Sequence, residues 1–148
     1  MNQSCMPAAS SKGFTLVEVL VTVVIFSVGL LGLAGLQATG IKLNHSSLLR
    51  SQATLLAYDI VDSMRANQGP DMVNLPGYAI DIDDAPPSSA NTQADRDLID
   101  WIGRLSQRLP SGDGSITLND SRATVVVQWD DVRNPDVAPK SMTVVSDI

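Results

Sequence analysis

Residues 13–40 read GFTLVEVLVTVVIFSVGLLGLAGLQATG, and the apolar run continues through Ile41. Between Phe14 and Ile41 the only ionisable side chain is that of Glu18. A helix over these 28 residues would be roughly 42 Å long, which exceeds the roughly 30 Å hydrocarbon core of a bilayer. The run therefore predicts a membrane-spanning helix over residues 14–41.

This segment is expected to stay in the mature protein. It is too long for the apolar region of a secretory signal, and no small-residue cleavage site follows it. A buried helix of a soluble protein is the alternative. The roughly 107 residues that remain could form only a modest core, which could hardly surround such a helix on every side. An anchor is therefore favoured.

After the anchor, the apolar positions narrow to one stripe. They recur at intervals of three and four from Leu49 to Met64, and charged or polar residues occupy the opposite face. Stop signals follow at Asn67, Gly69 and Pro70. We therefore expect one helix from about Phe14 to Ala66, whose second half is amphipathic and packs its stripe against a sheet.

The rest of the chain predicts a small mixed domain. Residues 68–91 are rich in Pro, Gly, Asp, Asn and Ser, which indicates a long connecting loop. Residues 92–95 (TQAD) form a capping-box pattern that opens a short helix, and Pro110 ends it. Three short strands follow at residues 115–118, 123–129 and 141–145, with a loop over 130–139. The expected fold class is α+β: a long N-terminal helix on a small antiparallel sheet, with one extra short helix.

Charge and cysteine usage exclude some functions. The chain carries 16 Asp and Glu against 10 Lys and Arg, and one of those cations, Lys12, precedes the apolar run. An acidic protein lacks the basic surface that phosphate neutralisation requires, so direct nucleic-acid binding is not expected. The single cysteine, Cys5, also precedes the run, so the mature chain can form no internal disulfide.

A search for catalytic or metal-binding residues finds little. The chain has one histidine, His45, and no cysteine after Cys5, which excludes a zinc site of the usual kind. Asp81, Asp83 and Asp84 are hard oxygen ligands at short spacing, yet Pro86 stands where a calcium loop of the EF-hand type has its glycine. A solvated acidic loop is favoured over a calcium site. No cofactor and no enzymatic activity are expected.

The junction at residues 12–18, KGFTLVE, resembles the processing site of type IV prepilins. In that family a short basic leader ends in glycine, an aromatic residue follows, and a lone glutamate lies four residues later in an apolar helix. All of these features coincide here. The resemblance covers residues 10–67 closely, and residues 97–110 and 124–131 more loosely. Major pilins often close a C-terminal loop with a disulfide, and this sequence departs from that pattern.

The resemblance implies a role for each residue of the junction. A prepilin peptidase/methylase would remove the leader, residues 1–13, by cutting between Gly13 and Phe14, and would then methylate the new amine of Phe14. Glu18 would pair with the terminal amine of an adjacent pilin and set the axial register of assembly. Without the resemblance, Glu18 could instead lie at the membrane interface and reach lipid headgroups.

The resemblance also implies topology and partners. Lys12 precedes the apolar run, whereas Lys42 and Arg50 follow it. The positive-inside rule alone therefore does not predict which end of the helix is cytoplasmic. The family places the leader in the cytoplasm and residues 42–148 in the periplasm as a pilin head domain. The mature chain would move from the bacterial inner membrane into a surface pilus. Its expected partners are the peptidase, other minor and major pilins, the inner-membrane assembly platform and membrane lipid.

Three functional interpretations remain open from the sequence. The first is a minor pilin that incorporates into or primes a type IV pilus and so supports adhesion and twitching motility. The second is a minor pseudopilin of a type II secretion system, which shares the same N-terminal signal. The third is a membrane-anchored periplasmic binding module, with the loop at residues 68–91 as its binding site.

Overall fold

The computed structural model describes residues 13–131 and 137–148, apart from the side chain of Asp71. The predicted leader up to Lys12 and the middle of the predicted loop at 130–139 lie outside the described residues. The elements, in chain order, are α1 (Leu16–Asn67), two 3-10 helices (Pro70–Met72 and Leu75–Tyr78), α2 (Gln93–Arg108), β1 (Asp113–Asn119), β2 (Arg122–Trp129) and β3 (Lys140–Asp147).

This arrangement confirms the predicted α+β fold, a long helix with a small antiparallel sheet and one short helix. The chain divides into two units, one ending at Lys42 and one running from Leu43 to Ile148. The second unit contains the whole hydrophobic core of the described residues.

The amphipathic half of α1 supplies one wall of that core. The seven buried residues are those of the stripe that the sequence predicted: Leu49, Ala53, Leu56, Ala57, Ile60, Val61 and Met64. The outer face is mostly polar, with Leu55 as an exposed exception, and Arg65 of α1 reaches Ser146 of β3 through a 2.6 Å hydrogen bond from Nη2 to Oγ. The stripe is therefore core, as its spacing indicates.

α2 packs close to both α1 and the sheet. Trp101 is fully buried, and its Nε1 donates a hydrogen bond of 3.0 Å to the backbone oxygen of Leu56. Its ring lies so close to β1 that a Cβ added to Gly114 would be 2.5 Å from the ring. Glycine is required there because no larger residue allows this approach.

The predicted capping box at the start of α2 is confirmed. The Thr92 hydroxyl accepts a 3.0 Å hydrogen bond from the Asp95 backbone N–H, and the Asp95 carboxylate accepts one of 2.7 Å from the Thr92 N–H. The bond from the Thr92 N–H is the main cause that lowers the pKa of the Asp95 carboxyl group. Hydrogen bonding of that carboxyl group with the Thr92 side chain is the next largest cause. The helix thus satisfies two N–H groups of its open first turn locally.

The sheet has the order β1-β2-β3, and both pairings are antiparallel. Ile116, Val125 and Val144 lie opposite one another on the buried face. All three strands are longer than predicted, because pairing extends the ladder through residues such as Asp113 and Lys140 that have weak strand preference alone. Asp120 turns the β1–β2 hairpin with φ of 53°, a conformation that Asp tolerates well.

The segment at residues 68–91 is more ordered than the predicted connecting loop. It contains both 3-10 helices, it buries Leu75 and Tyr78, and Ile80 forms an isolated antiparallel bridge with Ile116 of β1. Composition could not reveal this, because Pro and Gly mark turns without showing which apolar residues between the turns will be buried.

Tyr78 joins this segment to both helices. Its hydroxyl donates to Asp97 Oδ2 of α2 and accepts a 3.0 Å hydrogen bond from Asn67 Nδ2 at the end of α1. The side chain is fully buried. Burial, and then the bond to Asp97, raise the pKa of Tyr78 far above its usual value. The phenol is therefore a neutral hydrogen-bonding residue that connects three elements.

A Tyr78→Phe substitution should destabilise the fold by about 1–2 kcal/mol, because Asp97 and Asn67 both lose a partner. Thermal unfolding of the full chain in detergent micelles would measure it. Tyr58→Phe on exposed α1 surface is the matched control, with an expected change within about 0.5 kcal/mol.

The stability difference between the wild-type chain and Tyr78→Phe should also depend on pH. Because the folded pKa of Tyr78 is raised, its contribution is complete below pH ~10, the usual tyrosine value, and is lost as pH rises above it. The stability difference between wild type and Tyr78→Phe should therefore shrink above that pH. A difference that stayed constant with pH would contradict the role assigned to the phenol.

Candidate processing and assembly site

The three residues before α1 are open to solvent. Gly13, Phe14 and Thr15 precede the first helical residue, Leu16, and Phe14 is 83% exposed. A Cβ built on Gly13 would have no heavy atom within 4 Å. The fold itself therefore does not require glycine at residue 13, and the Gly13–Phe14 peptide bond is accessible.

α1 begins two residues later than the predicted start at Phe14. Thr15 is the reason, because its carbonyl and its hydroxyl accept hydrogen bonds of 3.1 and 3.3 Å from the Glu18 backbone N–H. Thr15 thus caps the helix. The prediction overlooked this residue, although the Thr-x-x-Glu pattern of residues 15–18 is the sequence signal of a capping box.

Glu18 lies in the first turn of α1 and is exposed. Its carbonyl accepts a 2.7 Å hydrogen bond from the Thr22 hydroxyl one turn later. Within the described residues, its carboxylate forms none of the five ion pairs. A carboxylate at a helix N-terminus is favourably placed relative to the helix dipole. The side chain is therefore available to an external cation.

The apolar surface that follows Glu18 is unburied within the chain. The most apolar 18-residue window of α1 has a mean hydropathy of 2.6, none of it is buried, and the helix is long and apolar enough to cross a membrane. This exposure does not support the alternative of a buried helix of a soluble protein, because such a helix would be covered by its own domain. Gly29, Gly32, Gly35 and Gly40 also have open space where a side chain would be.

His45 lies beside Ser46 on α1, and Ser46 is hydrogen-bonded to residues of the sheet region. The Ser46 hydroxyl donates a 3.0 Å hydrogen bond to Asp131 Oδ2, and Lys140 Nζ is hydrogen-bonded to the same oxygen. The Lys140 bond is the main cause that lowers the pKa of Asp131. Ser46 is thus directed to an ion pair and not to its neighbour His45. This cluster fixes α1 to the start of β3.

The acidic residues of the predicted loop take part in hydrogen bonds within the second unit. Asp83, with φ of 69°, donates its N–H to Asp113 Oδ2 at 2.8 Å, and the Asp81 N–H donates to Asp84 Oδ2 at 3.3 Å. No group of three or more His, Cys, Asp or Glu residues in the described chain could hold a metal ion. The structure therefore adds no support to the calcium interpretation of Asp81, Asp83 and Asp84.

Comparison with known families matches the N-terminal part of the chain. The family described as "Prokaryotic N-terminal methylation motif" matches residues 9–34. Comparison with curated proteins and with solved structures gave no significant match. The matched residues include Gly13, Phe14 and Glu18, together with the exposed part of α1 up to residue 34.

The motif and the fold together support one class of protein. An N-terminal methylation motif on a long apolar helix, followed by a small α+β domain, supports a type IV pilin-like or pseudopilin protein. The combination fits a membrane-anchored pilin. It implies processing by a prepilin peptidase and assembly with other pilins.

Proposed function

We propose that this chain is a minor pilin, which a prepilin peptidase processes and which then incorporates into or primes a type IV pilus. Through the assembled fibre it supports pilus biogenesis, adhesion and twitching motility. The leader is cytoplasmic, residues 42–148 are periplasmic, and the mature subunit moves from the inner membrane into the pilus at the cell surface.

The observation that carries the proposal is the change in exposure along α1. Within the methylation motif the helix is wholly exposed and apolar, whereas Leu49 to Met64 of the same helix form a buried stripe. Such a helix needs one apolar environment before assembly and another after it. A lipid bilayer supplies the first, and the apolar helices of neighbouring pilins supply the second.

Glu18 provides the assembly step in this proposal. A charged residue at the centre of a membrane helix costs about 3 kcal/mol on insertion scales, and less near the interface. The terminal amine of N-methyl-Phe14 on an adjacent subunit is a cation of the right sign, and the exposed carboxylate is available to it. Pairing removes the cost of the lone charge and sets the axial position of one subunit against the next.

No catalytic activity belongs to the proposal. The chain is the substrate of the peptidase and methylase at Gly13 and Phe14, and its role after processing is structural. The hydroxyl and carboxylate of Ser46 and Asp131 are already engaged with each other and with Lys140. This supports a head domain that holds its shape by polar contacts.

Among minor pilins, residues 30–37 (LLGLAGLQ) and 51–59 (SQATLLAYD) resemble the minor pilin PilV, the type IV pilus modification protein. A minor pseudopilin of a type II secretion system is the second candidate, since the methylation motif fits both. Genes for other minor pilins beside this gene would favour the pilus, and genes for a secretion apparatus would favour the pseudopilus.

Deletion of the gene in its native host tests the proposal directly. We expect fewer surface fibres and smaller twitching zones, both restored by the wild-type gene supplied in trans. Protein secretion should be unchanged. Normal fibres together with a loss of secreted proteins would overturn the proposal in favour of the pseudopilin.

A further inference from the structure

A groove lies between the segment after α1 and the outer edge of β1. Its volume is about 800 Å³, within the range of ligand-binding clefts. Leu75, Ile80 and Leu118 provide apolar lining, and Ile116 lies beneath. Ile80 and Ile116 of this lining form a backbone bridge, in which Ile80 N donates to Ile116 O at 3.2 Å and Ile116 N donates to Ile80 O at 2.8 Å.

That bridge shows the direction in which the backbone N–H and C=O groups of β1 point. Both polar groups of Ile116 face Ile80, away from β2, so those of Leu118 two residues later also face away from β2. The chain before Ile80 turns off into the 3-10 helix at Leu75–Tyr78 instead of continuing beside Leu118. In the described part of the chain, no backbone group pairs with Leu118 on this side. One step of the ladder beside Leu118 is therefore vacant.

The groove also has one sign of charge. Asp81, Asp84 and Asp120 line it, and no Lys or Arg does so among the described residues. Carboxylates around an apolar cleft attract and orient a cationic ligand. The free strand edge in turn selects a ligand with backbone N–H and C=O groups, because an extended peptide can complete the ladder.

We propose that this groove binds a short extended segment of a partner protein that carries Lys or Arg side chains. The segment pairs with the outward N–H and C=O of Leu118 and extends the sheet beyond β1. Its apolar side chains contact Leu75 and Ile80, and its cations meet Asp81, Asp84 and Asp120. The inference goes beyond the proposed function and does not depend on it, since binding here requires neither processing nor assembly.

A synthetic hexapeptide of alternating lysine and valine with blocked termini tests the charge preference. The full chain in zwitterionic detergent should bind it, and should not measurably bind the same peptide with glutamate in place of lysine. Calorimetric titration would measure both. Raising the salt to about 1 M, where the screening length falls to about 3 Å, should weaken the binding. Equal binding of the two peptides would overturn the proposal.

Asparagine variants locate the site. Asp81→Asn with Asp120→Asn should weaken the binding about two- to fivefold for each carboxylate removed. Asn tolerates the positive φ at residue 120, so the hairpin should be preserved. Asp62→Asn with Asp100→Asn removes the same charge from exposed positions outside the groove lining and should leave affinity unchanged. Equal loss in both pairs would show only a general charge effect and would overturn the proposal.

Amide hydrogen exchange tests the strand pairing itself. Bound peptide should slow the exchange of the Leu118 N–H about tenfold or more, because that donor becomes hydrogen-bonded. The Thr117 N–H faces β2 and should change little, which makes it the internal control. Binding with no added protection at Leu118 would mean that the peptide lies elsewhere, and would refute the site.

Discussion

A Gly13→Val chain should remain a full-length precursor in the membrane. The peptidase must bring its catalytic groups against the backbone at residue 13, and a branched side chain prevents a close approach. The structure separates this effect from folding, because a Cβ at Gly13 has no heavy atom within 4 Å. Intact-mass measurement of membrane fractions would show the retained leader, whereas the wild-type chain should begin at N-methyl-Phe14.

Gly29→Val is the matched control, because it makes the same substitution at another glycine with open space around its Cβ. Its leader should be removed normally, since residue 29 lies far along the chain from the cut. A Gly13→Val chain that still yielded N-methyl-Phe14 would contradict the prepilin interpretation. A wild-type mature chain that kept residues 1–13 would contradict it equally.

Glu18→Val should separate membrane insertion from assembly. Insertion should become easier, because the substitution removes a carboxylate that is costly in lipid. Assembly should fall by about 100-fold, because a terminal amine that loses its charged partner in an apolar filament core costs about 3 kcal/mol or more. The helix start should be preserved, because Thr15 accepts from the backbone N–H of residue 18 and not from its side chain.

The measurement compares the amounts of processed subunit in membranes and in sheared surface fibres of the native host. Glu18→Asp retains the charge and should recover part of the incorporation, whereas Thr22→Val changes a neighbouring polar residue and should not affect it strongly. Normal incorporation of Glu18→Val would refute the pairing role and leave Glu18 as an interface residue. Loss of the protein from the membrane would refute the assignment of the anchor.

The sequence predicted most of the fold because several signals agree. The stripe from Leu49 to Met64 and the capping box at Thr92 each have a fixed spacing that follows from helix geometry, and the length of the apolar run before them indicates a continuous helix. All are confirmed in the structure. The three strands were predicted, but each was predicted too short. Ladder pairing includes residues such as Asp113, whose own preference for strand structure is weak.

The features that the sequence did not predict depend on contacts between residues that are far apart in the sequence. The buried phenol of Tyr78 has two partners, Asn67 and Asp97, which are distant in sequence and become its neighbours only when both helices pack. The groove beside β1 has the same origin, because Ile80 and Ile116 meet across 36 residues of chain. The roles of Gly13, Phe14 and Glu18 stay predictions that rest on the family motif and the resemblance, since they involve other molecules.

The chain divides into two units between Lys42 and Leu43, and we expect only the second to contribute to the heat of unfolding measured by calorimetry. In a micelle, the apolar half of α1 should keep its helix on heating, because its backbone hydrogen bonds have no water to exchange with. Only the unit from Leu43 to Ile148 should then melt. Its heat of unfolding should be about 0.7 kcal/mol for each residue of that unit near 60 °C, with nothing added by the first unit.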